Sequence, residues 1–285
     1  MFRCTGLALL MSLAVSAAYA AERQVVLLWT GEMPGPGVDA PDGETTIPLK
    51  PGAPVITRTT NIAHPSLVVF EGAADKRTDV GVIVLPGGGF RYLTTDLEGS
   101  EACEWLASQG ITAFLLKHRA PTHEHPAPNA GPAIDTHQAL KLVRQRAAEW
   151  KLDPQKIGLL GFSAGGQIAA VATSDPKTRP NFLMLLYPWG LYQAKEGTLR
   201  EDVRVDAQWP PTFIAQAADD GSSLPQGSLL LYTRLLEQKI PAELHIYEKG
   251  GHGFGIRPGK TACPTDWPHR AETWLQGRGL LPAAN

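Results

Sequence analysis

Three residue types that together can cleave an acyl bond occur far apart in this 285-residue chain. Ser163 is at the centre of the pattern G-x-S-x-G, Asp219 and Asp220 follow an apolar run, and His252 lies in the stretch GGHGFG. A serine hydroxyl becomes a good nucleophile when a neutral imidazole takes its proton, and a carboxylate fixes the imidazole tautomer and stabilises the imidazolium. The order serine, acid, histidine therefore predicts nucleophilic acyl transfer.

The serine is predicted to lie at a sharp turn between a strand and a helix. The apolar run Ile157–Leu160 precedes the turn, and the alanine-rich segment Gln167–Thr173 follows it. Glycine is needed two positions before and after the serine because the strand and helix backbones pass very close there. The helix N-terminus would stabilise negative charge on a substrate oxygen, and the N–H of Ala164 is the natural donor. Ser163 is thus a candidate nucleophile, held in a strained conformation.

A second hydrogen-bond donor is predicted in the loop after the apolar run Val80–Leu85. This loop reads Pro-Gly-Gly-Gly-Phe, 86–90, and consecutive glycines let backbone N–H groups approach a bound atom closely. Ligands of open α/β sheets bind at the carboxyl ends of the strands. Hydrolases with a G-x-S-x-G turn use a loop of HGGG type here, and in this chain proline replaces the histidine. The loop is therefore predicted to complete an oxyanion hole.

Several carboxylates compete for the role of the acid. Only one of Asp219 and Asp220 can point at the imidazole, and the other is expected to brace the loop. Glu98 is interpreted as a carboxylate at a helix start, and Asp135 as a surface or helix-bracing residue. From the residues alone, the choice between the two adjacent aspartates stays open.

A metal site is considered and rejected. His123 and His125 have a spacing that could hold a metal ion, but apart from Glu124 no cysteine or carboxylate cluster accompanies them. A solvated, proline-rich loop is the favoured interpretation. Neither a metal nor a cofactor is predicted.

Strand-like and helical segments alternate along the chain, which predicts one mostly parallel sheet with helices on both faces. The carboxyl ends of parallel strands share one edge of the sheet, so loops that follow different strands can meet there. The predicted strands are Leu67–Phe70, Val80–Leu85, Ile111–Leu116, Ile157–Leu160, Phe182–Tyr187, Thr212–Ala217 and Glu243–Tyr247, and the predicted helices are Leu97–Gln109, Ala133–Trp150, Gln167–Thr173 and Leu229–Leu236.

The N-terminal region is predicted to contain a cleaved export signal. Residues 1–20 carry a basic residue, a short apolar run and an Ala-x-Ala pattern before Ala21, and the run is shorter than the roughly 20 residues that span a bilayer. A secreted or periplasmic protein is therefore expected. Residues 21–60 are predicted to be an irregular arm and 61–285 a catalytic domain. In an oxidising compartment Cys103 and Cys263 could pair, and the sequence leaves this open.

The composition and charge of the chain indicate which classes of partner it can bind. The chain has 43% apolar and 19% charged residues and a formal charge of −2, with no long basic or acidic run. Nothing in this charge distribution favours nucleic acid or an anionic membrane. A small, uncharged or weakly charged substrate is expected, with no nucleic acid partner and no stable membrane insertion after signal removal.

The chain resembles secreted acetyl-xylan-esterase-like and dienelactone-hydrolase-like members of the α/β-hydrolase superfamily. The resemblance extends over about residues 61 to 255 and is carried by NIAHPSLVVF, VIVLPGGGFRYL, EGSEACEWLASQGITAFLLKHR, KIGLLGFSAGGQIAA, ADDGSS and SLLLYTRLLEQKIPAELHIYEKGGHGFG. It implies an α/β-hydrolase fold without a large cap domain. It also assigns the site residues: Ser163 as nucleophile, His252 as base, Asp220 as acid, and Gly88, Gly89 and Ala164 as oxyanion-hole donors.

Two positions depart from the pattern of similar proteins. Ser223-Leu224-Pro225 replaces the usual Val-Pro after the acid, and Lys117-His118-Arg119 replaces a stretch with tyrosine. These departures leave the predicted core chemistry intact, but they affect the local alignment that assigns Asp220 and the prediction of the substrate pocket.

The predicted function is a serine esterase that removes short acyl groups, with acetyl groups on plant polysaccharide as candidate substrates. The alternatives are a serine peptidase of the same superfamily, which usually carries a large extra domain, and a non-catalytic binding protein on the same fold. The interval between the strands ending at Tyr187 and beginning near Thr212 is short and charged, which predicts a shallow, open site. Trp189 and Trp209 are candidate flat surfaces for a sugar ring, with core packing as the alternative.

Overall fold

The computed structural model describes residues 23–38, 40, 43–48, 52, 55–257 and 266–283. The predicted signal peptide, residues 1–20, lies outside the described residues, and so does Cys263. The pairing considered for Cys263 with Cys103 therefore lies outside them too, and Cys103 itself is fully buried. No described helix is long and apolar enough to cross a membrane.

An eight-stranded sheet forms the centre of the described structure. The second strand from one edge is antiparallel to both of its neighbours, and all the strands beyond it are parallel, which confirms the predicted mostly parallel sheet. Numbered along the chain and given in spatial order, the strands are β1 (Val25–Leu27), β4 (Ser66–Phe70), β7 (Thr112–Lys117), β5 (Gly81–Leu85), β8 (Ile157–Phe162), β9 (Phe182–Leu186), β12 (Thr212–Ala217) and β13 (Ala242–Tyr247).

Successive apolar side chains of the central strands point to opposite faces of the sheet and belong to two separate cores, one on each face. In β5, Ile83 and Leu85 belong to one core, and Val82 and Val84 belong to the other. This follows from the strand period of two, and it explains why such strands read as continuous apolar runs. Helices cover both faces: α2 (Ala130–Gln145), α3 (Ala164–Thr173) and α4 (Pro225–Glu237) on one, and α1 (Glu101–Ser108) and α5 (Trp267–Gly277) on the other.

Two helix boundaries differ from the sequence prediction for a reason of local chemistry. α2 begins at Ala130 rather than Ala133, because Pro132 falls in the first turn, where a missing N–H removes no intrahelical hydrogen bond. α4 begins at Pro225, a favoured first position for proline. A π-helical turn, Asp96–Ser100, precedes α1, and a 3₁₀ turn, Ala147–Trp150, follows α2.

The N-terminal arm differs from the expected irregular segment, because its described part contains short strands. β1 adds an antiparallel edge to the central sheet through β4. β2 (Thr45–Thr46) and β3 (Arg58–Thr60) form a small antiparallel sheet with β6 (Leu93–Thr94), which follows the glycine loop. Runs of two or three residues are too short to show a periodic pattern, so the sequence did not reveal them.

The segment between β9 and β12 carries only a small hairpin. Its strands are β10 (Tyr192–Gln193) and β11 (Thr198–Leu199). The described residues therefore include no large cap over the carboxyl edge of the sheet, as predicted.

Candidate active site

The backbone of Ser163 is held in a strained conformation at the junction of β8 and α3. Its φ of 50° and ψ of −121° are rare for a residue with a side chain. Its N–H donates to the carbonyl of Leu186 at 3.0 Å, and its carbonyl accepts from the N–H groups of Gln167 and Trp189 at 3.1 and 2.9 Å. A Cβ on Gly165 would lie 2.1 Å from the carbonyl oxygen of Leu85, so the close approach does require glycine.

A chain of hydrogen bonds joins the three predicted residue types. The Oγ of Ser163 lies 2.8 Å from Nε2 of His252, and Nδ1 of His252 lies 2.8 Å from Oδ2 of Asp220. Asp220 is buried, and its Oδ1 accepts from the N–H groups of Ser222 and Ser223, each at 2.8 Å. The loops after β8, β12 and β13 therefore meet at one edge of the sheet.

The electrostatics of Asp220 favour its ionised form. Burial pushes the pKa of this carboxyl up, but the hydrogen bond from His252 and the N–H groups of Ser223 and Ser222 outweigh burial and leave the pKa below its usual value. An ionised Asp220 accepts a hydrogen bond from Nδ1, so the lone pair of His252 lies on Nε2, toward the serine hydroxyl. The arrangement can therefore deprotonate Ser163.

Asp219 has the bracing role expected of the second aspartate. Its side chain is exposed, and Oδ1 accepts the backbone N–H of Gly251 at 2.8 Å. Gly251 immediately precedes His252, so this bond anchors the histidine loop. The structure thus separates the two adjacent carboxylates, with Asp220 alone against the imidazole.

Two of the predicted oxyanion-hole residues line the cleft with Ser163, and the third, Ala164, follows Ser163 in the chain. Gly88 and Gly89 line the same cleft as Ser163, and both have positive φ, 141° and 60°. Within the described part of the chain, nothing accepts a hydrogen bond from their N–H groups. Ala164 is the first residue of α3, where a backbone N–H has no intrahelical acceptor. A substrate oxygen could accept from these groups.

The cleft above Ser163 has a volume of about 380 Å³. Trp189 lines it with 38% of its surface exposed, as the sugar-platform prediction requires. Trp209 does not line the cleft, because it is buried and donates its indole N–H to Thr212. Core packing is therefore the correct interpretation of Trp209. The remaining lining residues are Ile56, Arg58, Gly88, Gly89, Arg91, Tyr92, Thr94, Leu97, Glu98, Ser222, His252 and Gly253.

Glu98 is more than a carboxylate at a helix start. It is buried beside the cleft, and its two oxygens accept from the backbone N–H of Gly87 and the phenol of Tyr187, each at 2.9 Å. Burial raises the pKa of Glu98 above its usual value, against the opposing effect of these hydrogen bonds. Sequence reasoning missed this residue because its partner Tyr187 lies 89 positions away.

Of the two interpretations of Asp135, the surface residue is wrong and the helix-bracing residue agrees with the structure. Its side chain is fully buried and forms an ion pair of 2.6 Å with Arg119, which is also fully buried. Asp135 also accepts the indole N–H of Trp29 at 2.9 Å. The pair ties α2 to the segment after β7 and lies outside the cleft.

His123 and His125 stay apart from the candidate site. His123 lies 3.7 Å from the exposed carboxylate of Glu124, and His125 contacts the carbonyl of Ala127 in its own loop. Among the described residues no group of three or more His, Cys, Asp and Glu side chains is placed to hold a metal ion.

Comparisons with known proteins agree with the fold. Residues 82–207 match a family model described as alpha/beta hydrolase fold. An acetyl ester-xyloside bifunctional hydrolase from Caldicellulosiruptor lactoaceticus has a similar structure, with a TM-score of 0.70 and 27% identity, covering 93% of this chain and 100% of that chain. The predicted α/β-hydrolase fold is therefore confirmed.

Two curated relatives extend the sequence comparison. An acetylxylan esterase from Xylanibacter ruminicola is 31% identical over 202 residues, which is 61% of this chain and 41% of the relative. An endo-1,4-beta-xylanase B from Butyrivibrio fibrisolvens is 25% identical over 223 residues, 67% of this chain and 35% of the relative. The chain thus spans no more than about two fifths of the length of these relatives. The predicted resemblance to acetyl-xylan-esterase-like proteins is confirmed.

Proposed function

Because this chain has the α/β-hydrolase fold and is similar to acetylxylan-esterase proteins, we propose that it is a serine carboxylic-ester hydrolase for short acyl esters, chiefly acetyl esters of saccharides. One observation carries the proposal: Ser163, His252 and Asp220 form a hydrogen-bonded series with two links of 2.8 Å beside an open cleft. In this proposal Ser163 is the nucleophile, His252 the base and Asp220 the acid that orients it.

Acylation begins when Nε2 of His252 takes the proton of Ser163 as Oγ attacks the ester carbonyl carbon. The carbonyl oxygen becomes an oxyanion, for which the N–H groups of Gly88, Gly89 and Ala164 are the proposed donors. The bond to the alkoxide then breaks, and the imidazolium returns its proton to the leaving oxygen. The products of this half-reaction are a free alcohol and an acyl group on Ser163.

Deacylation repeats these steps with water. His252 takes a proton from a water molecule, and the resulting hydroxide attacks the acyl carbon. The acyl oxygen becomes a second oxyanion, which accepts hydrogen bonds from the same N–H groups. The bond to Oγ breaks and His252 returns the proton to Ser163, so the enzyme is restored and a carboxylic acid is released.

The cleft supports a small acyl group and a saccharide alcohol. Its volume of about 380 Å³ is near the lower end of ligand pockets. Trp189 presents an exposed indole at its wall, and aromatic faces pack well against the C–H faces of sugars. The relative from Xylanibacter ruminicola is named an acetylxylan esterase, and the one from Caldicellulosiruptor lactoaceticus is named an acetyl ester-xyloside bifunctional hydrolase. Both names point to acetyl esters as the substrate class, and the first points to an acetylated saccharide.

A secreted or periplasmic location is part of this proposal. It rests on the sequence pattern of residues 1–20, which predicts cleavage before Ala21. A saccharide or other small ester is the proposed partner, and neither nucleic acid nor stable membrane insertion is part of the function. Mass spectrometry of the exported protein checks this, with Ala21 expected at its N-terminus.

The main experiment compares wild type with Ser163→Ala. We expect the wild-type protein to react with a fluorophosphonate probe and to release acetate from acetylated xylo-oligosaccharides, and the variant to do neither. Peptide amides serve as the control for a peptidase. Labelling without any ester hydrolysis, or hydrolysis that persists in the variant, would falsify the proposal.

A further inference from the structure

Two arginines, Arg58 and Arg91, line the same cleft as Ser163. Arg58 belongs to β3 and pairs in register with Thr94 of β6, so the small sheet holds it beside the glycine loop. Arg91 follows that loop directly and is exposed. The short strands of the N-terminal arm therefore bring a cationic side chain to the candidate site.

The guanidinium of Arg58 lies over the aromatic ring of Tyr92, and among the described residues no carboxylate pairs with it. Its central carbon lies 5.3 Å from the ring centroid of Tyr92, which also lines the cleft. The Nε is buried and has no hydrogen-bond acceptor among the described residues. A guanidinium over a ring face keeps its N–H donors in its own plane, where a planar anion can meet them.

Among the described residues, no carboxylate forms an ion pair with either of these two arginines. Asp96 and Glu101, on the neighbouring turn and helix, are both paired with Arg257. Glu98 is the acidic residue of the cleft lining, and both of its oxygens already accept hydrogen bonds from the protein. Unpaired cations beside a candidate nucleophile favour the binding of an anion.

We propose that Arg58 and Arg91 form a subsite for a carboxylate carried by the ester substrate. The inference rests on the proposed esterase function and narrows its substrate class. The carboxylate can belong to the alcohol part, as in an acetylated saccharide with a uronic acid unit, or to the acyl part, as in a half-ester of a dicarboxylic acid. The subsite orients the substrate and takes no part in bond making.

Matched pairs of esters test the subsite. Acetylated 4-hydroxybenzoate against acetylated 4-hydroxybenzamide places the charge on the alcohol part, and 4-nitrophenyl hydrogen succinate against 4-nitrophenyl butyrate places it on the acyl part. For each pair the readout is the ratio of kcat/KM for the anionic ester to that for the neutral ester. Because both values come from one protein, the ratio cancels any general loss of activity.

We expect the wild-type ratio to exceed one for at least one pair and to fall with added salt, since exposed charges are screened. Arg58→Gln and Arg91→Gln should each lower that ratio about tenfold, as for loss of a charged hydrogen bond. Arg91 is exposed, so R91Q tests the subsite even if R58Q does not fold. The matched control is Arg234→Gln, which removes an exposed arginine of α4 that pairs with Glu237 away from the cleft.

The pair that shows the preference identifies which part of the ester carries the anion. Ratios of one or less for both pairs, with both neutral esters hydrolysed, would overturn the subsite and leave the esterase proposal standing. Ratios that fall equally in R234Q and R91Q would also overturn it, because any lost surface charge would then suffice. Failure to hydrolyse any ester would refute the proposed function itself, and the subsite with it.

Discussion

The phenol of Tyr187 donates a hydrogen bond of 2.9 Å to Oε1 of Glu98, and both side chains are buried. The same phenol oxygen accepts the backbone N–H of Gly255 at 3.0 Å, while Oε2 of Glu98 accepts the N–H of Gly87 at 2.9 Å. One buried network therefore connects the loop of the proposed oxyanion hole to the loop that carries His252.

We predict that Tyr187→Phe lowers kcat about tenfold and the free energy of unfolding by about 1–3 kcal/mol, the cost of leaving buried polar groups unpaired. The change removes one donor from Glu98 and the acceptor of the Gly255 N–H. It keeps the ring that packs against His252 and Phe254, with centroids 5.2 and 4.3 Å away. Steady-state kinetics and urea unfolding measure the two effects.

Tyr232→Phe is the matched control for this variant. Tyr232 packs against the core at the face covered by α4, away from the cleft. Equal losses of kcat in both variants would show that the Tyr187 network has no specific effect on the site.

The raised pKa of Glu98 predicts a pH dependence of stability. The folded state binds the Glu98 proton more tightly than the unfolded state does, so this carboxyl lowers the free energy of unfolding as pH rises from about 4.5 through its folded-state pKa. Glutamine cannot ionise, so Glu98→Gln should remove the contribution of this carboxyl to the change of the free energy of unfolding with pH. Urea midpoints measured from pH 4 to 9 in about half-unit steps check it. Parallel profiles for wild type and E98Q would contradict the prediction.

Asp220→Asn should lower kcat/KM far more than Asp219→Asn, by on the order of 10⁴-fold as in triads where the histidine tautomer is lost. The N–H groups of Ser222 and Ser223 would hold the oxygen of the new amide, which turns its NH₂ group toward Nδ1 of His252. The imidazole would then carry its proton on Nε2 and could not accept one from the serine.

In Asp219→Asn the amide oxygen can still accept the N–H of Gly251, so only a small loss is expected. Kinetics of both variants on one acetyl ester decide the ranking. The reverse order would move the acid role to Asp219.

Ser163→Ala and His252→Ala should each lower kcat by several orders of magnitude, and the double variant should be little worse than either single one. In the proposed mechanism the two side chains act as a unit, because the histidine has no proton to accept once the serine hydroxyl is gone. A double-mutant cycle on kcat measures this coupling. Losses that multiply would mean that the two residues act independently.

The sequence predicted the central strands, Ser163 and His252 because each has a local signature, whereas the residues alone left the acid open between Asp219 and Asp220. Ser163 lies in a strand, turn and helix pattern, and His252 lies between glycines after a strand. Glu98, Tyr187 and Arg58 could not be found in this way. Their roles depend on contacts between distant segments, and no pattern around Glu98 shows that it is buried against a tyrosine 89 residues away.

The buried pair of Arg119 and Asp135 was missed for a related reason. Charged residues are almost never fully buried unless they are paired, so a lone aspartate in a helical sequence is normally interpreted as exposed. The ion pair forms only in the folded chain, where α2 packs against the segment after β7. For Trp209 the sequence left a sugar platform and core packing open, and its burial and its hydrogen bond to Thr212 favour core packing.

The size of the cleft predicts the preferred acyl length. A long acyl chain gains about 0.8 kcal/mol, or about fourfold in kcat/KM, for each methylene that it buries. The described residues form no cap between β9 and β12, and the lining of the cleft includes Arg58, Arg91 and Glu98. A chain longer than butyryl would therefore extend into solvent or against charged groups and gain nothing from further methylenes. Specificity constants for 4-nitrophenyl acetate, butyrate, hexanoate and octanoate should reach their maximum at or before butyrate. An increase of about fourfold per methylene that continued to octanoate would require a buried apolar channel, which the described residues do not form.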